Sequence, residues 1–267
     1  MIKSFFFRVL RFAGVLAVIY VSMIFYLALT ERRNAFPRAI THTEANQAIA
    51  GKTQNASCTL EDGTLLWGWV MGSRTTPVIL YYPDAEEDAA QFLAEVDTSS
   101  AMTLIAFNYR GSGENKGNPS QETFESDAKH IAECAAQISP NGISFFAGRG
   151  TGAILAAQQQ SKDARYILID PIFSIADAIS SKYRALYPKF LIRANVGVDT
   201  TRLKQIEDKS FIVYDRAKFD TRTEQNTADL ANAPKLYRKG GFLQPILQQI
   251  IASTKNITVG KLNSSQP

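Results

Sequence analysis

Apolar and polar positions follow three different patterns along this chain, and each predicts a different element. The first pattern is an unbroken apolar run. No charged residue occurs between Arg11 and Glu31, and Phe12 to Thr30 is dominated by Val, Leu, Ile, Ala and aromatic residues. That length suits one membrane-spanning helix, for which roughly 20 residues are needed. A cleaved signal peptide is the rival reading, but its apolar region is usually about 7 to 15 residues, and no clean small-x-small site follows here. An uncleaved anchor is therefore expected, with residues 1–31 forming tail and anchor (helix about 12–30). Lys3, Arg8 and Arg11 on one flank nearly balance Arg32, Arg33 and Arg38 on the other, so charge bias hardly orients the helix. With so short an N-terminal tail, export of the C-terminal part is the expectation. Residues 32–55 are polar and mixed, and read as a juxtamembrane linker with a short helix.

The second and third patterns alternate from Ala56 onward. Cys58 to Glu61 and Thr64 to Val70 flank Asp62-Gly63, the signature of a hairpin turn. Strands are predicted at Pro77–Tyr82, which reads as buried, and at Thr103–Asn108, Ile143–Ala147, Arg165–Asp170, Phe211–Tyr214 and, as a short one, Lys235–Tyr237. Helical spacing fills Glu86–Val96, Thr123–Ile138, the run after Gly152, Glu224–Ala231 and Phe242–Ser253. An opening hairpin followed by strand–helix alternation predicts an α/β domain over 56–254, a mostly parallel sheet with helices on both faces. A small cap falls at about 173–209, between two predicted strands. Its Tyr183, Leu186, Tyr187, Phe190, Leu191 and Ile192 have spacing that fits either plain helix core or a docking face. Residues 255–267 form a polar tail.

Composition narrows the picture. A hydrophobic content of 45% and a charged content of 20% are ordinary globular values. The basic residues behind the net charge of +4 are scattered, which leaves no nucleic-acid footprint. Cys58 and Cys134 have no metal-like spacing; one disulfide between them is possible but not indicated. No metal and no cofactor is expected. Asn55-Ala56-Ser57, Asn256-Ile257-Thr258 and Asn263-Ser264-Ser265 fit the glycosylation pattern, though such triplets arise readily by chance. The decisive count is histidine, because the chain has only His42, in the linker, and His130, in a predicted helix.

Chemistry would centre on Gly148-Arg149-Gly150-Thr151-Gly152, where a β-favouring run meets alternate glycines and then an Ala-rich helical run. The frame is that of the G-x-S-x-G elbow, which presents a nucleophilic serine at the top of a sheet. Here Gly150 stands at the serine position. Upstream, Asn108-Tyr109-Arg110-Gly111-Ser112-Gly113, Gly117-Asn118-Pro119-Ser120 and Asp127 resemble the D-Y-R-G-x-G-x-S-x-G-x-P-S pattern and later Asp of membrane-anchored α/β-hydrolase-domain proteins. The similarity extends from about Leu65 to Leu247 and includes Asp170-Pro171 and Tyr187-Pro188. It implies an α/β-hydrolase fold, a small cap and membrane attachment.

The same resemblance implies where a catalytic triad would fall, and this chain departs from it there. The nucleophile position is Gly150. Thr151 cannot substitute, because the elbow presents only its central residue; its backbone N–H would be an oxyanion donor. The base position, in Lys239-Gly240-Gly241-Phe242, is Phe242. The oxyanion loop reads Pro83-Asp84-Ala85, and a carboxylate there would repel a developing oxyanion. Asp220, with Ala217 in place of the family's glycine, matches the acid position that the resemblance implies; with no histidine to orient, it reads equally as a relict acid or as a solvated loop aspartate. Loss of one triad member typically costs about 10⁴ to 10⁶ in rate, so a pseudo-hydrolase is expected, acting by binding a protein partner or a small apolar ligand.

Two other readings stay open. An active esterase, lipase or thioesterase-like hydrolase would need displaced residues, and Ser112 is the one serine elsewhere in a strand-to-loop glycine setting. A dinucleotide could bind through Gly148, Gly150 and Ala153, which match G-x-G-x-x-A, with Asp170 about 20 residues on as the ribose acid.

Overall fold

The structure, a computed structural model, describes residues 2–36, 38–73, 77–96, 102–215, 227–238 and 243–263. The predicted hairpin opens an eight-stranded sheet. β1 (Thr53–Thr59) and β2 (Leu65–Met71) pair antiparallel around a turn in which the Thr64 N–H donates to Asp62 Oδ1 at 3.0 Å. The remaining strands are β3 (Val78–Tyr82), β4 (Thr103–Phe107), β5 (Phe145–Arg149), β6 (Arg165–Ile169), β7 (Ser210–Asp215) and β8 (Lys235–Arg238). The spatial order is β1-β2-β4-β3-β5-β6-β7-β8, and every pair from β4 onward is parallel. Every residue of β3 and β4 is buried, which is why these strands read as continuous apolar runs in the sequence.

Helices cover both faces. α1 (Ile2–Ala35) carries the apolar run and is long and apolar enough to cross a membrane. α2 (Thr43–Ile49) and α3 (Ala89–Ala94) pack with α8 (Gln244–Asn263) on one face, around Phe92, Leu93, Leu247 and Ile250. α4 (Gln121–Ile138), α5 (Gly152–Gln158) and the cap helices α6 (Ile175–Tyr183) and α7 (Thr200–Ile206) pack on the other. The expected helix at Glu86–Val96 is shorter, because Asp88 caps α3 and completes a capping box with Gln91. The expected helix at Glu224–Ala231 falls partly outside the described residues; what is described is a 3-10 turn at Ala228–Leu230.

The linker of residues 32–55 is bonded into the domain. The Arg32 Nε–H donates to the Pro119 carbonyl at 3.0 Å, the Ala39 N–H donates to Ser112 Oγ at 3.0 Å, and the Gly113 N–H donates to the Ala39 carbonyl at 2.8 Å. Phe36 packs on Phe124 with ring centres 5.4 Å apart. At the end of α1 the Glu31 carboxylate is buried; it accepts from the Tyr187 hydroxyl at 2.6 Å and from the backbone N–H groups of Arg193 and Ala194. Desolvation, reinforced by Glu31, pushes the Tyr187 phenol up to about 12. The disulfide left open by the sequence is formed: Cys58 on β1 joins Cys134 on α4, with Cα atoms 5.7 Å apart.

The motif around Arg110 shows what the family-like residues do here. Arg110 grips Asp127 of α4 with two hydrogen bonds, Nε to Oδ2 at 2.5 Å and Nη2 to Oδ1 at 2.7 Å, and reaches Asp62 of the hairpin turn at 2.8 Å. Both Arg110 and Asp127 are buried. Arg110→Met would strand the Asp127 carboxylate, and breaking a buried pair typically costs about 3–5 kcal/mol. A denaturation midpoint lowered accordingly, with Arg110→Met combined with Asp127→Leu recovering part of the loss, is the expected result in detergent-solubilised protein.

Candidate functional site

At the carboxyl edge of the sheet, β5 turns sharply into α5. Gly148 lies where strand and helix touch: a Cβ there would come within 2.3 Å of the Gly152 carbonyl oxygen. Gly150 follows at φ +54°, the left-handed conformation that a nucleophile elbow imposes. Its N–H donates to the Ile169 carbonyl at 3.0 Å, and its own carbonyl accepts from Ile172 at 3.0 Å and Ala153 at 3.2 Å. The elbow is therefore intact as backbone, with no side chain at its apex.

Asp84, in the loop after β3, occupies the space a side chain would take. A Cβ built on Gly150 would lie 2.5–2.6 Å from all three atoms of the Asp84 carboxyl group. Asp84 Oδ1 accepts from the Thr151 N–H at 3.0 Å, the Thr151 hydroxyl at 2.7 Å and the Ala85 N–H at 2.9 Å. In an elbow of this type the N–H after the nucleophile and an N–H of the loop after β3 form the oxyanion hole. Here both donors converge on one aspartate oxygen. The sequence expectation concerned repulsion of an oxyanion by Asp84; in the structure the Asp84 carboxylate is hydrogen-bonded to both of these backbone donors.

A buried ion network holds that loop. The Asp84 N–H donates to Glu87 Oε2 at 3.0 Å, the Tyr81 hydroxyl donates to the same oxygen at 2.6 Å, and Arg149 pairs with Glu87. Arg149 also pairs with Glu95 at 2.8 Å, and Glu95 with Arg238 of β8 at 2.7 Å. Burial pushes the Glu87 carboxyl above its ordinary value, against the opposing pull of Arg149. The Tyr109 hydroxyl donates to the Pro83 carbonyl at 2.9 Å, and burial raises its phenol well above the usual range. Asn108 accepts from the Ala89 N–H at 2.8 Å and donates to Asp88, fixing the start of α3.

Among the described residues, Ser112, His42 and His130 make their bonds away from the elbow, whereas Asp170 lies beside it in the chain between Ile169 and Ile172, which bond to Gly150. Asp220 and Phe242, the expected acid and base positions, lie outside the described residues. Ser112 is buried, with its oxygen accepting from the linker N–H of Ala39. His42 caps α2, its Nδ1 accepting from the Ala45 N–H at 3.1 Å. His130 lies on α4 with Nε2 3.3 Å from Glu61 and 3.9 Å from Glu133. Asp170 ends β6 at φ +42°, its N–H donating to the Val213 carbonyl at 2.8 Å. For a dinucleotide, the pyrophosphate would need the N–H groups at the start of α5, beside the buried Ala153, and Asp84 already holds the first of them. The glycine pattern at 148 and 150 is accounted for by backbone approach and by the elbow itself. A cavity of about 250 Å³ opens elsewhere, beside β2, lined by Trp67, Trp69, Asn55 and Asp88 among others; none of Asp84, Gly150 or Thr151 lines it.

The sequence reading missed the pairing of vacancy and filler. Glycine at the apex and a carboxylate in the facing loop were each visible, and their co-occurrence was the available signal. The Glu87–Arg149–Glu95–Arg238 network had none, since its members come from three distant segments of the chain.

Strand order, elbow and cap define the α/β-hydrolase fold, and solved structures agree. An α/β hydrolase from Vibrio vulnificus superposes with a TM-score of 0.59 at 20% identity, covering 88% of this chain and 92% of that one. An esterase of Pyrococcus furiosus gives 0.57 at 14% identity, covering 84% and 95%. A putative lipase from Acinetobacter baumannii gives 0.57 at 16%, covering 84% and 97%. No family model matches the chain. Among curated proteins, an uncharacterised protein of Mycobacterium tuberculosis is 22% identical over 186 residues, with 66% of each chain covered, just under two thirds of that relative's length.

Gly150→Ala should destabilise the protein by about 1–3 kcal/mol, from the left-handed backbone and the collision with Asp84. In an Asp84→Ala background the penalty should shrink, giving a coupling of about 0.5–3 kcal/mol in a double-mutant cycle. Equal penalties in the two backgrounds would show that the carboxylate does not fill the elbow.

Proposed function

We propose that this protein is a membrane-anchored pseudo-hydrolase, which holds a protein partner or a small apolar ligand and does not turn over an acyl substrate. The observation that carries this reading is Asp84 Oδ1 on the Thr151 and Ala85 N–H groups. Acyl transfer needs those donors for the charge that develops on the substrate oxygen, in a site with a nucleophile and a base beside it. A fixed anion on the donors removes the term that usually dominates such catalysis, and Gly150 offers no hydroxyl. The cap and the cleft it covers are the surfaces left for recognition. The α1 helix supplies the attachment, as an uncleaved single-pass anchor.

In this reading the domain faces the extracytoplasmic side. The Cys58–Cys134 disulfide supports this, since such bonds persist in oxidising compartments and are rare where thiols are kept reduced.

Full-length protein in detergent should hydrolyse no p-nitrophenyl ester above the uncatalysed rate and should take up no fluorophosphonate probe. Gly150→Ser should behave the same way, because no base is supplied even where its side chain displaces the Asp84 carboxylate. Turnover or labelling by either protein would sink the reading, and a partner recovered with the full chain should be retained by Gly150→Ser. Placement can be checked separately: maleimide–polyethylene glycol added to freshly denatured, unreduced protein from cells should leave the gel mobility unchanged, whereas prior reduction should add two labels. Two labels without reduction would place the domain in a reducing compartment.

A further inference from the structure

We propose that the tip of the cap, from Leu186 to Phe190, inserts into the lipid bilayer beside the anchor helix, so that the domain meets the membrane through a second, monotopic contact. The inference rests on α1 being a membrane span. One face of α1 is covered by the domain well before the helix ends: Met23 and Ile24 are half-buried, and Leu27 and Glu31 are buried. α1 packs against α6 and the 3-10 turn Arg184–Leu186, both in the cap, and its Glu31 bonds Tyr187, Arg193 and Ala194 of the same segment. Met23 lies about 12 Å before Glu31 along the helix axis.

The length of the uncharged run decides where that level falls. Phe12 to Thr30 is about 28 Å long as a helix, with no slack against a hydrocarbon core of about 30 Å. Sliding the helix to lift Met23 out of the core would draw Arg8 and Arg11 into it, at about 2.5–3.5 kcal/mol each near the centre. Met23 and Leu27 therefore lie within the apolar layer or at its edge, and the cap residues packed against them lie there too.

The tip has the chemistry for that position. Phe190 is 84% exposed and Leu186 47% exposed, while Tyr187 between them turns inward to Glu31. Lys182, Arg184, Lys189 and Arg193, all exposed, flank them in the chain, with Lys189 paired to Asp177. Apolar side chains with a basic rim match an interface of acyl chains below anionic headgroups, where long cationic side chains extend to the polar layer. The buried Glu31 clamp holds the tip at this height.

The test uses the full chain, with its native disulfide intact, in nanodiscs of phosphatidylcholine and phosphatidylglycerol. Phe190→Cys and, as an exposed reference, Lys162→Cys are each labelled with the fluorophore NBD. At position 190 the emission should shift to the blue, lipids carrying doxyl groups should quench it, and aqueous iodide should quench about threefold less than at 162. Equal iodide quenching at the two positions, in protein that resists extraction by alkaline carbonate, would overturn the insertion and leave the anchor standing. Release of the chain by carbonate would overturn both.

Discussion

The arrangement of this domain's functional edge depends on one contact, the carboxylate of Asp84 against two backbone N–H groups. An elbow of this kind presents donors at a helix start and an adjacent loop whether or not chemistry follows, and buried donors without an acceptor are costly. Here the Asp84 carboxylate meets that need, and Glu87, Tyr81 and Arg149 brace the loop that delivers it. The vacancy at Gly150 and the filler at Asp84 are one feature, because a side chain at 150 and the Asp84 carboxylate would need the same space.

Much of the fold was legible in the sequence because period and punctuation agree in it. β3 and β4 announce themselves as short apolar runs, the hairpin by Asp62-Gly63, the elbow by alternating glycines, and the anchor by an uninterrupted run ending at Glu31. Less legible were features made by distant residues. Cys58 and Cys134 are separated by 76 residues and say nothing of each other until β1 and α4 are packed together. Glu31 reads as the charge that ends a membrane run, and only the folded cap reveals it as a buried acceptor for Tyr187.

The candidate site was legible in its losses more than in its contents. The missing serine is read directly from Gly150 and the scarcity of histidine from a count. What Asp84 does instead depends on distances of 3 Å between loops some 65 residues apart, and periodicity carries no such information. Arg110, Asp127 and Asn108 were read as marks of kinship; in the structure they tie the β4–α4 loop to the hairpin, to α4 and to the start of α3.

The hydrogen bonds that join the linker to the Ser112 loop have a consequence for how this molecule meets others. A domain on a slack tether samples a hemisphere and presents every face in turn. With Arg32, Ala39 and Phe36 fastened to it, this one is joined to the end of α1 at several points instead of one. On a membrane-spanning α1, such a joint would confine encounters to two dimensions with orientation already settled, which would favour companions that carry their own matching surface at the same height.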